Sequence, residues 1–203
     1  MEISAEASPR LRRDSLRNKQ RLLNATGELL RSDPANASMS AIAKQAKLSV
    51  ATAYRYFQSL DDLHNEYLYS VLVNLEDYSF DSILHGKALF KDVVMKWLDL
   101  LDVYGSAMVQ VRSRRGFLSR LSQGDKLVRK IHDIWTRPVR EILRELGVSE
   151  KHFEHALFLY NIIFDPREIL DLKESTGWSN DKIMEQLTAA YYGAIQAWGQ
   201  QAN

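Results

Sequence analysis

Apolar side chains recur at helical spacing along nearly the whole chain. Leu22, Leu23, Thr26, Leu29 and Leu30 line one face of a helix that the spacing predicts from about Asp14. Asp33-Pro34 ends it, because proline pushes the preceding residue out of helical backbone. Residues 1–13 are polar and basic, with Pro9, Arg10, Arg12 and Arg13, and read as a disordered arm. Ser38 offers an N-cap to a short second helix whose Met39, Ile42, Ala43 and Ala46 face inward. Lys47-Leu48 makes a tight turn, and Ser49 caps a third helix over Val50–Phe57. Ser59-Leu60-Asp61-Asp62 resembles a capping box that opens a fourth helix through Leu63, Tyr67, Leu68, Val71 and Leu75.

Beyond about Asp81 the predicted helices lengthen and their apolar faces broaden. One runs from near Lys87 to Tyr104, and a shorter one follows around Met108–Arg115. The next spans about Asp125 to Leu146, with a kink or break expected near Thr136–Arg137 because Pro138 falls inside the pattern. Gly147 ends it, and Ser149 caps a helix carrying Phe153, Leu157, Tyr160 and Phe164. Asp165-Pro166-Arg167-Glu168 starts a short helix ending at Gly177. Ser179 caps the last, through Ile183, Leu187, Tyr191, Ile195 and Trp198. The chain reads as all-α, with about nine or ten helices.

Composition supports that reading: 45% hydrophobic residues argue against disorder, and only 9 Gly and 4 Pro leave few turns for an all-β fold. The absence of Cys excludes disulfides, thiolate zinc sites and cysteine nucleophiles, and suits a reducing, cytoplasmic setting. The first residues lack the apolar core of a secretory signal, and nowhere do apolar residues run long enough to span a membrane. The formal net charge is only +1, but its distribution is uneven. Residues 1–57 carry ten basic and five acidic side chains, net +5; the remainder carries 17 and 21, net −4. A basic head on an acidic body fits a DNA-binding module joined to a different kind of domain, and also fits a merely solvated basic face.

The segment from Ser38 to Leu63, SMSAIAKQAKLSVATAYRYFQSLDDL, decides between those two. A helix-turn-helix needs two short helices with apolar inner faces, a tight turn, and small residues where the helices touch. Ala43 and Ala46 supply the small contacts; Ile42, Leu48, Ala53 and Phe57 supply the core. That leaves Val50, Ala51, Thr52, Arg55 and Tyr56 on the outer side of the third helix. Such a mixture can touch thymine methyls, base edges and phosphates.

These residues resemble the tetracycline-repressor (TetR) family of bacterial regulators. Its pattern runs I-L-x-A-A-x-E-L-F, then T-x-x-x-I-A-x-x-A-G-V-S-x-G-x-L-Y-x-Y/H-F-x-S-K-E-x-L. This chain shows LLNATGELL over Leu22–Leu30, then Ser38, Ile42-Ala43, Ala46, Ser49, Tyr54, Tyr56-Phe57, Ser59 and Leu63 at matching spacings. Four departures stand out: Lys47 at the turn glycine, Ala51 at the early glycine of the third helix, Ala53 at a leucine, and Leu60 at a lysine. The resemblance implies that Ser38 and Tyr56 anchor phosphates and that Tyr54 sits at the groove entrance. Ser49, Val50, Thr52 and Arg55 are candidates for groove-facing contacts; core packing for Tyr54 and simple solvation for Arg55 stay open. Arg10, Arg12, Arg13, Arg17 and Lys19 could follow a phosphate backbone or reach the minor groove.

The resemblance further implies a helix-turn-helix domain over 1–60 and an effector-binding and dimerisation domain over 61–203. It implies a homodimer on double-stranded operator DNA, acting as a repressor that an unknown small-molecule effector releases from a pseudo-palindromic site. Trp97, Leu101, Tyr104, Met108, Phe117, Trp135 and Phe158 could line a pocket in a helical bundle, or could be plain core. The helices near Glu150–Phe164 and Asn180–Trp198 are the candidates for pairing as an intermolecular four-helix bundle. His152 and His155 lack a third ligand, so no metal is expected, and no cofactor or catalytic motif is present: G-x-x-x-x-G-K-[ST], G-x-S-x-G and H-E-x-x-H are all missing. An enzyme on a helical bundle, a regulator without a ligand, and an activator remain as rival readings.

Overall fold

The computed structural model describes residues 9–110 and 116–200, and every element in them is helical. The chain divides into two compact units between Tyr67 and Leu68. The first contains α1 (Pro9–Ser32), a 3₁₀ turn at Pro34–Asn36, α2 (Met39–Gln45), α3 (Val50–Tyr56) and the start of α4 (Leu60–Asp81). The second takes in the rest of α4, α5 (Gly86–Gln110), α6 (Phe117–Ser122), α7 (Lys126–Glu145) and a 3₁₀ turn at Glu150–His152. It closes with α8 (Phe153–Ile163), α9 (Pro166–Thr176) and α10 (Asn180–Gln200).

In the first unit, Leu22, Ile42, Ala43, Ala53 and Leu63 are sealed from solvent, so α1, α2, α3 and the first turns of α4 share one core. Each leucine or isoleucine buried there contributes about 1.5–3 kcal/mol. At Gly27, α1 lies close against the Tyr67 ring of α4: a Cβ there would lie 2.6 Å from the Tyr67 hydroxyl oxygen. The first helix starts earlier than the apolar pattern suggests. Residues 9–13 are helical, with Pro9 at the first position, where its fixed φ suits a helix start. Residues 1–8 of the expected arm, and the side chains of Arg10 and Arg12, lie outside the described residues.

In the second unit, Phe90 on α5 is the hub. Its ring stacks on Tyr191 of α10 at 4.9 Å and meets Trp135 of α7 at 5.6 Å and Phe164 at 6.1 Å. The Tyr191 hydroxyl, buried inside, donates to the Ala156 carbonyl at 2.9 Å and so ties α10 to α8. Burial pushes the ionisation of Tyr191 and Tyr192 far up, so both stay neutral.

Three elements depart from the sequence pattern. The expected helices over 87–104 and from 108 are one continuous α5, and residues 111–115 lie outside the described residues. Gly105 lies inside this helix and admits a neighbour: a Cβ there would stand 2.9 Å from Leu170 Cδ1 of α9. The second departure is α7, which runs through Pro138 as a single helix. Proline removes the N–H that would bond the Ile134 carbonyl, and the buried Ser79 hydroxyl of α4 donates to that oxygen at 3.2 Å. The third is α6, a single short helix after Gly116 that periodicity does not reveal.

Candidate functional site

The outward side of α3 is built from inside. Ala53 is fully buried and Phe57, just past the helix, is 5% exposed, so these two fix which side of α3 faces the core. Val50, Tyr54 and Arg55 then face out, with Tyr54 52% exposed, which rules out core packing for that ring. Thr52 is half-buried, at the flank of the same surface. Ser49 caps the helix: its Oγ accepts from the Thr52 amide at 3.0 Å and lies 2.8 Å from the Thr52 hydroxyl.

The turn before α3 is a Schellman motif. The Leu48 amide donates to the Ala43 carbonyl at 2.9 Å, and the Lys47 amide to that of Lys44 at 3.0 Å. Lys47 takes the left-handed position, with φ 54°. Glycine would occupy it without strain, and a lysine does so at a cost. In return, an exposed cation stands beside the start of α3. Arg21 of α1 supports the turn by donating from Nη2 to the Lys47 carbonyl at 3.1 Å.

Ser38, exposed, caps α2 by accepting from the Ala41 amide at 3.3 Å. Its Oγ also lies 3.1 Å from the Ser40 hydroxyl. Tyr56 is half-buried at the end of α3, near Ser15 and Asn18 of α1. Hydrogen bonding, from Ser15 first and from Asn18 and Arg55 after it, holds its phenol below the usual range despite partial burial. The Arg55 guanidinium lies 5.4 Å from the centroid of the Tyr56 ring. Ser15, Asn18 and Arg21 are absent from the sequence-based candidates. They lie on α1 away from the helix-turn-helix motif, and only the fold brings them to it. Among the basic residues of α1, Arg13 and Arg17 are exposed, whereas Lys19 pairs with Glu66 at 2.7 Å and is held inward.

The result is a surface with apolar (Val50), hydroxyl (Ser38, Ser49, Thr52), aromatic (Tyr54) and cationic (Arg55, Lys47) groups on one short helix and its flanks. Residues 19–67 match the model of the family described as bacterial regulatory proteins, tetR family. The match covers the helix-turn-helix and the helices flanking it, about a quarter of the chain. Its fold is similar to that of a TetR transcriptional regulator from Rhodococcus sp. RHA1, with a TM-score of 0.57 and 20% identity over 85% of this chain and 93% of that one. A TetR-like transcriptional regulator, also from Rhodococcus sp. RHA1, gives 0.55 and 15%, over 94% of this chain and 98% of its own. No curated protein is significantly similar to the chain.

In the second unit, a pocket opens between α4, α5 and α7. Leu68, Leu72, Trp97, Met108, Leu127 and Ile131 form its apolar walls, and it is partly open to solvent. Of the pocket residues read from sequence, Trp97 and Met108 are in these walls. Leu101 and Trp135 are 1% exposed and pack as core, while Phe158 is 40% exposed on the outside of α8. Tyr104 and Phe117 are half-buried and do not line it. Aromatic composition signals a bundle interior but cannot say which rings face a void. Leu68, Leu72, Leu127 and Ile131, the residues missed, look like ordinary core leucines and isoleucine in the sequence. Among the described residues, no group of three or more His, Asp or Glu side chains could hold a metal, and no helix is long and apolar enough to cross a membrane. His152 instead stacks on Trp198 at 5.8 Å, with His155 6.4 Å from the same ring.

Proposed function

We propose that the protein is a repressor which grips a pseudo-palindromic operator as a homodimer and lets go when a small molecule occupies the pocket of its second unit. The observation that carries the DNA contact is the outer side of α3, with Val50, Tyr54 and Arg55 exposed on a helix locked by Ala53. Ser49, Val50, Thr52 and Arg55 enter the major groove, Ser38 and Tyr56 hold phosphates on either side, and Tyr54 lies at the groove edge. Val50 suits a thymine methyl, and Arg55 a guanine edge or a phosphate.

Pairing uses α8 and α10. Glu154, His155, Phe158 and Ile162 are exposed in one stripe along α8, with Phe158 at 40% and Ile162 at 51%. On α10, Ala189, Ala190, Gly193 and Ala197 are exposed, and such small side chains let a partner helix approach closely. Two helices from each subunit make a four-helix bundle, and twofold symmetry sets the two recognition helices roughly 34–36 Å apart. An effector acts only through different affinities for the DNA-binding and released conformations.

Selecting duplexes from a random pool with the purified protein tests this directly. Enrichment of an inverted repeat with half-sites one turn apart supports the reading; enrichment of a lone half-site, or none, contradicts it. Placing the selected site over a promoter and measuring transcription in vitro then separates repression from activation.

A further inference from the structure

Among the described residues, one charged group reaches the apolar pocket of the second unit: Arg120 of α6, whose side chain is 15% exposed. Its Nε donates to Asp125 Oδ2 at 2.9 Å. Asp125 is itself occupied as the cap of α7, its Oδ1 accepting from the Leu127 and Val128 amides at 3.0 and 3.1 Å. These bonds and the guanidinium hold the Asp125 carboxyl below the usual range despite partial burial. Asp125 is thus a fixed bracket that grips the guanidinium by one edge.

A guanidinium has five N–H donors in a rigid plane and keeps its charge at any physiological pH. Held through Nε, Arg120 retains the Nη donors, and among the described residues it has no partner besides Asp125. Trp97 offers only its ring face, because its indole N–H already donates to the Phe164 carbonyl at 3.3 Å. Among the described residues, the pocket therefore has apolar walls and one oriented, cationic, bidentate donor.

We propose that this pocket binds a small carboxylic acid, with a compact aliphatic or aryl body against the Leu72, Trp97 and Ile131 walls and its carboxylate on the Nη edge of Arg120. A wholly apolar molecule would displace water from those donors and leave them unpaired. A dianionic phosphate would bring more charge than one guanidinium, already shared with Asp125, can balance beside apolar walls. A monoanionic carboxylate matches both the fork and the charge. The assignment deepens the effector-release reading by naming the class of effector, and it rests on that reading for its consequence at DNA.

Calorimetric titration of the full chain tests it, using octanoate and 4-phenylbutyrate against the matched amides, octanamide and 4-phenylbutyramide. The acids should bind at least about ten-fold more tightly than the amides. Arg120→Gln should bring the acids down to the level of the amides while leaving the amides unchanged. If that variant fails to fold, Arg120→Lys serves instead: it keeps the charge but loses the fork, and should still reduce the preference for acids. Leu72→Trp, which fills the pocket, should abolish binding of both classes. Equal binding of acids and amides, no binding of the acids at millimolar concentration, or acid binding indifferent to Arg120 would each overturn the proposal. Release of duplex DNA is read separately. Acids that bind without releasing DNA leave the carboxylate site standing and remove the effector-release reading. Amides that bind equally well and release DNA do the reverse.

Discussion

Arg21 of α1 donates through Nη2 to the carbonyl oxygen of Lys47 at 3.1 Å, and Lys47 is the one residue between α2 and α3 with left-handed backbone. The first helix therefore holds the turn that leads into α3. Side chains of the same helix, Ser15 and Asn18, also lie beside Tyr56 at the far end of α3. A seven-residue helix depends on such outside contacts to keep one orientation.

Lys47→Gly relieves the left-handed strain and should raise the unfolding free energy by up to about 1 kcal/mol in urea titrations. It should also weaken binding to duplex DNA, through loss of the exposed cation beside α3. A glycine variant that is less stable than the parent would contradict the strained geometry.

His64 is buried at the start of α4, and its Nε2 has no hydrogen-bond partner among the described residues. Burial holds its pKa below the ordinary histidine value of 6.5, only partly opposed by Asp61. The unfolded chain then binds the proton more readily than the folded one. The stability linked to this group is complete above the ordinary value and is lost as pH falls below it. Urea unfolding followed from about pH 7.5 to about pH 5 should show a decline that is shallower in His64→Leu. Identical slopes in the two proteins would rule out His64 as a contributor.

Much of this was legible in the sequence. Ser38, Ser49 and Ser59 mark three helix starts because a side-chain oxygen before an apolar run has one favourable use, and each accepts the amide expected of it. The inner face of α2 and α3 was equally plain, since Ile42, Ala43 and Ala53 recur at helical spacing. What was hidden depends on distant partners. Pro138 reads as a break until Ser79, 59 residues earlier, is found beside the carbonyl that proline frees. The helix end expected near Tyr104 is no end: α5 continues through Gly105, with Leu170 packed against it. The pocket was the least legible, because Leu127 on a void and Leu101 in solid core have the same sequence signature.

The bond from Ser79 to the Ile134 carbonyl gives a double-mutant prediction. Ser79→Ala should cost about 1–3 kcal/mol, since it leaves a buried carbonyl without a donor. In a Pro138→Ala background the restored amide can bond Ile134, so the same Ser79→Ala change should cost markedly less. Equal costs in the two backgrounds would mean that the hydroxyl does not stand in for the missing N–H.

Phe158→Asp combined with Ile162→Asp places two charges on the exposed stripe of α8. The double variant should sediment as a folded monomer, with the helical circular dichroism of the parent, and should lose tight operator binding. A variant that remains dimeric would move the pairing surface elsewhere.

The central claim is that α3 reads DNA, and the most direct measurement is duplex affinity over a salt series for the parent, Thr52→Ala and Arg55→Ala. For the parent, log K should fall steeply and linearly with log salt, by about 0.9 for each phosphate contact. Arg55→Ala, still folded by circular dichroism, should bind about 1–3 kcal/mol more weakly and discriminate less between selected and random duplexes. Undiminished affinity and specificity in both variants would contradict the placement of α3 in the groove.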